Sequence, residues 1–210
     1  KILGRGVMIA TCAATRELGL PIEKELTGRG VSYCATCDGM FFRGKTVVVV
    51  GGGNSAAADA MVLSRVCEKV ILVHRRDTLR ATKVYHEPLM SAENVTFCWN
   101  SIVTELHQEG RLTGIKVKNV LTGEENDIPC DGLFVSIGRV PASGLVKGLL
   151  DLDEAGYIRA DETTRTNIPG VFAVGDIRAK ALRQVITAAA DGAVASHYAD
   201  EYLAESVNRT

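Results

Sequence analysis

Two cysteines separated by two residues, Cys34-Ala35-Thr36-Cys37, carry the most reactive chemistry in this chain, and Asp38-Gly39 follows them directly. A pair at this spacing can bind zinc, form a structural bridge, or cycle between dithiol and disulfide. Zinc needs a second pair of ligands, and the remaining Cys and His residues form no second short-spaced pair, so no metal is expected. A structural bridge over so short a loop is strained and easily reduced. The pattern therefore predicts a redox pair, in which one thiolate attacks a partner disulfide and the other resolves the mixed disulfide. A carboxyl at Asp38 suits a general acid for the leaving thiolate if burial raises its pKa. The competing reading of Asp38-Gly39 is a plain turn.

A second constellation follows. The β-branched run Thr46 to Val50 ends in Gly51-Gly52-Gly53-Asn54-Ser55-Ala56, which opens an alanine-rich segment. Gly51-x-Gly53-x-x-Ala56 between a strand and a helix is a dinucleotide turn. Glycine lets the backbone approach a pyrophosphate, and the helix start offers unpaired N–H groups. The next apolar run, Lys69 to His74, ends in His74-Arg75-Arg76, with Arg80 beyond. Folds that bind NAD place an acidic residue there for the ribose hydroxyls. Guanidinium groups suit a 2′-phosphate instead, so the expected nucleotide is NADPH.

The elements that must position these groups read as α/β. Residues 45–50 and 69–74 are strands buried on both faces, with a helix over 54–66 between them, a unit of about 30 residues of Rossmann type. A helix interrupted at Pro88 is expected over 79–92, and a third strand over 95–99. Residues 101–107 and 113–120 alternate as an antiparallel pair, and 132–137 is a further buried strand. Residues 6–10 read as a buried strand, 171–174 as a short one, and 182–203 as a long helix rich in small residues.

At 210 residues, 46% hydrophobic, 23% charged and a net charge of −1, the composition is that of a globular protein. That balance argues against nucleic acid or an anionic membrane as the partner, and no apolar run is long enough to span a bilayer. Cys12, Cys67, Cys98 and Cys130 are expected to be small buried thiols, which fits a reducing, cytoplasmic compartment. The chain starts without Met and inside a strand, which reads as a fragment.

The chain resembles the low-molecular-weight thioredoxin reductases. The matching stretches are residues 30–39, 50–56, 74–77 and 168–176, with Arg183-Gln184. The resemblance implies FAD and NADPH as cofactors and thioredoxin, or a similar small dithiol protein, as partner. Cys34 would attack the partner, Cys37 would face the flavin and Asp38 would act as acid and base. Gly51, Gly53, Asn54, Ser55 and Ala56 would hold the pyrophosphate, with His74, Arg75, Arg76 and Arg80 at the 2′-phosphate end. Thr11, Gly175 and Asp176 would lie on the flavin nucleotide. Arg183, Gln184 and Val185 would approach its ring, where a helix start favours negative charge. The implied organisation is an NADPH domain over 18–141, inserted in an FAD domain of which 1–17 and 142–210 are an incomplete part. A homodimer is implied for the intact protein.

Two departures qualify these expectations. The family's own glycine-rich FAD turn is absent, so the activity is expected of the intact parent and FAD affinity of this chain alone is expected to be weak. Cys12 stands where the family has glycine. Two alternatives remain: a flavin-free NADPH module whose dithiol is a switch, and a reductase for another dithiol partner.

Overall fold

The computed structural model describes residues 4–207. Two compact units emerge. One spans Thr15–Gly138, and the other joins the described residues before Thr15 to those from Arg139 onward. In chain order the strands are β1 (Val7–Ile9), β2 (Ala13–Thr15), β3 (Val31–Ser32), β4 (Thr46–Val50), β5 (Lys69–Val73) and β6 (Val95–Cys98). They continue as β7 (Ser101–Gln108), β8 (Leu112–Asn119), β9 (Glu125–Pro129), β10 (Gly132–Val135), β11 (Arg139–Pro141) and β12 (Val171–Ala173). The α-helices are α1 (Ala35–Asp38), α2 (Asn54–Ser64), α3 (His86–Met90) and α4 (Val185–Val207).

The larger unit holds a parallel five-stranded sheet in the order β3-β10-β4-β5-β6, the α/β arrangement expected. The central strands β4, β5 and β10 are apolar after their first residue because both faces are covered. Alternation sends Val47 and Val49 of β4 toward Ala56, Ala57, Ala60 and Leu63 of α2. Val48 and Val50 point the other way, into Val103, Leu106, Ile115 and Val117 of the antiparallel sheet β7-β8-β9. Val47, Val48 and Val49 are fully buried, each contributing roughly 1.5–3 kcal/mol relative to an exposed side chain. Alanines on α2 let its axis approach the sheet closely, which brings the helix start over the end of β4.

The segment 79–92 departs from the helix expected. Residues 79–82 are irregular, Lys83–Tyr85 form a 3₁₀ turn and only His86–Met90 are α-helical. Competing partners explain this: the N–H groups of Arg80 and Ala81 donate to the Gly52 carbonyl, and that of Thr82 to Asn54 Oδ1. Pro88 sits in the first turn of α3, where its missing N–H costs nothing.

In the second unit β1 pairs in parallel with β12, and α4 packs Tyr198 and Tyr202 against Phe172 and Val174. The strand expected to be buried is only partly so. Val7 and Met8 are 52% and 45% exposed, because β1 has one partner strand and an uncovered face among the described residues. Strands β2 and β11, at the two points where the chain passes between the units, form a two-stranded sheet.

Candidate functional site

Cys34 and Cys37 form a disulfide at the start of α1, directly after β3. The backbone N–H of Cys37 donates to Cys34 Sγ at 3.2 Å. The same hydrogen bond would stabilise a thiolate at Cys34 after reduction. Asp38 closes the helix, and its Oδ2 accepts from the Ser32 hydroxyl at 2.6 Å, while Ser32 Oγ accepts the Cys34 N–H at 3.1 Å. Ser32, at the last position of β3, thus ties Asp38 to Cys34.

The glycine turn follows β4. Gly51 has φ 145°, and a Cβ there would lie 2.4 Å from the Ser136 carbonyl oxygen and 2.7 Å from Ala56 Cβ. Only glycine fits, and Ala56, fully buried, is the small residue that lets helix and strand close. A Cβ at Gly53 would meet nothing within 4 Å, which leaves open space at the start of α2. A cavity of about 880 Å³ lies there, at the carboxyl ends of β4, β5 and β10, and includes Gly51, Gly52, Gly53, Asn54 and Ser55 in its lining. Carboxyl strand ends are where open α/β sheets take ligands.

The basic end is less uniform than its sequence. Arg75 and Arg80 line the cavity and Arg76 is exposed outside that lining. His74 is 5% exposed and packs under Gly52, where a Cβ would come within 2.3 Å of its ring. Burial first, then the charges of Arg80, Arg75 and Arg76, push its pKa below the ordinary histidine value. His74 Nε2 is buried without a hydrogen-bond partner, although the residue lines the cavity. A neutral ring with an unmet polar atom, facing guanidinium groups, fits a phosphorylated ligand.

Thr11, Gly175, Asp176, Arg183, Gln184 and Val185 belong to the other unit. Thr11 Oγ1 is buried and unpartnered. Gly175 has φ 73°, and its N–H donates to Asp191 Oδ2 at 2.9 Å. Asp176 pairs with Arg139 at 3.0 Å. Arg183 stacks on Tyr157 at 3.8 Å and donates to the Asp176 carbonyl. Gln184 N–H donates to Thr187 Oγ1, and Val185, the first helical residue, is 87% exposed. The buried, unmet Thr11 hydroxyl and the bare apolar helix start fit a flavin nucleotide.

Four cysteines are free. Burial pushes the Cys67 thiol up to about 11 and the Cys130 thiol up to about 12, as inert core thiols require. Cys98 is half-buried. Cys12 corrects the expectation of a buried thiol: it is exposed, with φ 69°, the left-handed conformation that glycine favours.

Several wall residues escaped the sequence reading. Arg16, Glu17 and Leu18 line the cavity, as do Ser136, Ile137 and Gly138. Gly138 closes an apolar strand as Gly51 does, and that repetition was the available signal. Beside the dithiol, Met40 and Phe41 are 61% and 76% exposed, while Phe42 turns inward onto Phe134. Arg29, Lys45 and Arg111 share a smaller cavity with Asp38.

The chain belongs to the pyridine nucleotide-disulphide oxidoreductase family, whose model matches residues 1–192. Within it, the chain is 47% identical over 197 residues to a thioredoxin reductase of Treponema pallidum, covering 94% of this chain and 64% of the relative. It is also 47% identical over 205 residues to that of Listeria monocytogenes, covering 96% and 63%. The crystal structure of thioredoxin reductase from Streptococcus pyogenes superposes with a TM-score of 0.89 at 44% identity, over 95% of this chain and 66% of that one. The chain thus spans just under two thirds of the length of the curated relatives it matches.

Proposed function

We propose that the protein is an NADPH-dependent disulfide reductase that passes electrons to a small dithiol protein, thioredoxin, through Cys34 and Cys37. The observation that carries this reading is a Cys34–Cys37 disulfide in the same compact unit as a cavity floored by Gly51–Gly53 and edged by Arg75 and Arg80. Family membership and relatives named thioredoxin reductase support it.

Gly51, Gly53, Asn54, Ser55 and the start of α2 hold the pyrophosphate, with Ala56 beneath them. Arg75, Arg80 and, from the rim, Arg76 select the 2′-phosphate, and His74 supplies a neutral polar floor. Thr11, Gly175, Asp176, Arg183, Gln184 and Val185 would hold FAD, which would supply two-electron transfer from NADPH to the disulfide. The two electrons and two protons convert Cys34–Cys37 into two thiols. The Cys34 thiolate then attacks the partner disulfide, releasing one partner thiol. Cys37 attacks the mixed disulfide, which frees the second partner thiol and restores the bridge. Asp38 carries the proton to the leaving sulfur. Exposed Met40 and Phe41 flank the bridge as an apolar landing for the partner.

A reducing cytoplasmic setting is supported by the free Cys12, Cys67, Cys98 and Cys130, and a homodimer by the resemblance. No helix of the described residues is long and apolar enough to cross a membrane.

The test is NADPH oxidation at 340 nm by the protein supplied with FAD and oxidised thioredoxin. Oxidation that needs thioredoxin and is lost in C34S and C37S is expected. Equal rates in the two variants and the parent would overturn the reading. A second reading, a flavin-free nucleotide module, rests on every cavity-lining residue lying within Thr15–Gly138. Bleaching of a bound flavin band by NADPH would eliminate it.

A further inference from the structure

Glu23 is 1% exposed, and its carboxylate is ringed by hydrogen-bond donors. Oε1 accepts from the backbone N–H of Leu18 at 3.0 Å and from the Tyr33 hydroxyl at 2.9 Å. Oε2 accepts from the N–H of Gly19 at 2.9 Å and of Leu20 at 3.3 Å. Three successive N–H groups, turned inward where Gly19 takes φ 77°, form a concave cradle for an anion. Burial and the neighbouring Glu23 also raise the Tyr33 pKa, so the phenol stays protonated and donates.

Two segments with different tasks end on this one group. Leu18, with Arg16 and Glu17, is part of the wall of the nucleotide cavity. Tyr33 lies between the end of β3 and Cys34, in the lead-in to the dithiol helix. A single oxygen, Oε1, therefore holds both the cavity wall and the dithiol lead-in. Glu23 itself is buried although its donors are only partly so, and a shift of either segment therefore leaves the carboxylate short of a donor, an expensive outcome out of water.

We propose that Glu23 is a positioning residue that couples the nucleotide cavity to the dithiol, through its shared hold on Leu18 and Tyr33. The inference rests on the nucleotide-binding reading above. A ligand that orders residues 16–18 then orders Cys34, and by linkage the state of the dithiol feeds back on nucleotide affinity.

The test is alkylation of Cys34 by iodoacetamide in the 210-residue chain, reduced with dithiothreitol and followed by peptide mass spectrometry, with and without saturating NADP⁺. NADP⁺ is expected to slow Cys34 alkylation by about fivefold in the parent. In Y33F, which removes only the shared hydroxyl, the ratio is expected to fall to about one while calorimetry still shows NADP⁺ binding. E23Q serves as the second variant, with circular dichroism to confirm that both fold. A Y33F ratio equal to that of the parent, as simple shielding by the ligand would give, overturns the coupling. So does a parent ratio of one despite binding. Failure of the parent to bind NADP⁺ would instead overturn the nucleotide reading itself.

Discussion

The backbone N–H of Arg80 donates to the carbonyl of Gly52 at 2.7 Å. That bond pins an arginine against the glycine turn, 28 residues earlier in the chain, and explains why residues 79–82 leave the helical path. With Thr82 N–H on Asn54 Oδ1, it ties the glycine turn and the segment that carries Arg80 together. Replacing Arg80 or Arg75 by alanine is expected to weaken NADPH binding roughly ten- to a hundredfold, the worth of a charge-assisted hydrogen bond. NADH, which has no 2′-phosphate, is expected to bind about as before. Calorimetric titration with both nucleotides reads the difference. Equal losses for both would remove the arginines from that role.

Asp38 is expected to act on the sulfur chemistry alone. D38N keeps the shape and can still accept from the Ser32 hydroxyl, but it cannot carry a proton. Thiol–disulfide exchange with thioredoxin is expected to slow by about a hundredfold, with nucleotide affinity unchanged. Stopped-flow mixing of the reduced protein with oxidised thioredoxin measures it.

Asp191 organises the second unit. Its carboxylate, about 9% exposed, takes Arg178 at 2.9 Å, Lys180 at 2.8 Å and the Gly175 N–H at 2.9 Å. Burial opposes its charge, but the hydrogen bonds from Arg178, Lys180 and Gly175 outweigh burial and hold its pKa below the ordinary value. D191N leaves buried Lys180 without a carboxylate and buried Arg178 with only the exposed Glu162 at 3.6 Å, and is expected to cost about 3–5 kcal/mol in urea unfolding. Because the folded pKa is depressed, the contribution is complete above about pH 4, the unfolded value, and is lost as pH falls through the folded one. The parent should therefore lose more stability than D191N on acidification below about pH 4.

Cys12 occupies a glycine conformation at φ 69°. C12G is expected to stabilise the chain by about 1 kcal/mol, the cost of the left-handed region for a side-chain-bearing residue. Chemical denaturation measures this. A destabilised C12G would mean that the cysteine side chain makes compensating contacts.

The sheet was legible because β4, β5 and β10 are apolar without alternation, which only burial on both faces explains. The turn at Gly51 was legible because glycine, helix start and preceding strand all agree. The arginine cluster was legible as a charge pattern, but not which members face the cavity: neighbouring residues point in different directions, and only Arg75 and Arg80 reach the lining. His74 was read with its charged neighbours, whereas the strand it ends carries it inside. The hidden parts are those made by distant segments. Ser136 and Asp59, 77 residues apart, meet only after the sheet forms, and nothing local in the chain marks them.

The most direct measurement is the oxidation state of Cys34 and Cys37 in the protein supplied with FAD, under anaerobic conditions, before and after NADPH. Alkylation and peptide mass spectrometry would follow both residues. The account predicts that NADPH opens the bridge, so that both cysteines become alkylated, and that NADH does so far more slowly. A bridge that stays closed in the presence of bound flavin and excess NADPH would contradict it.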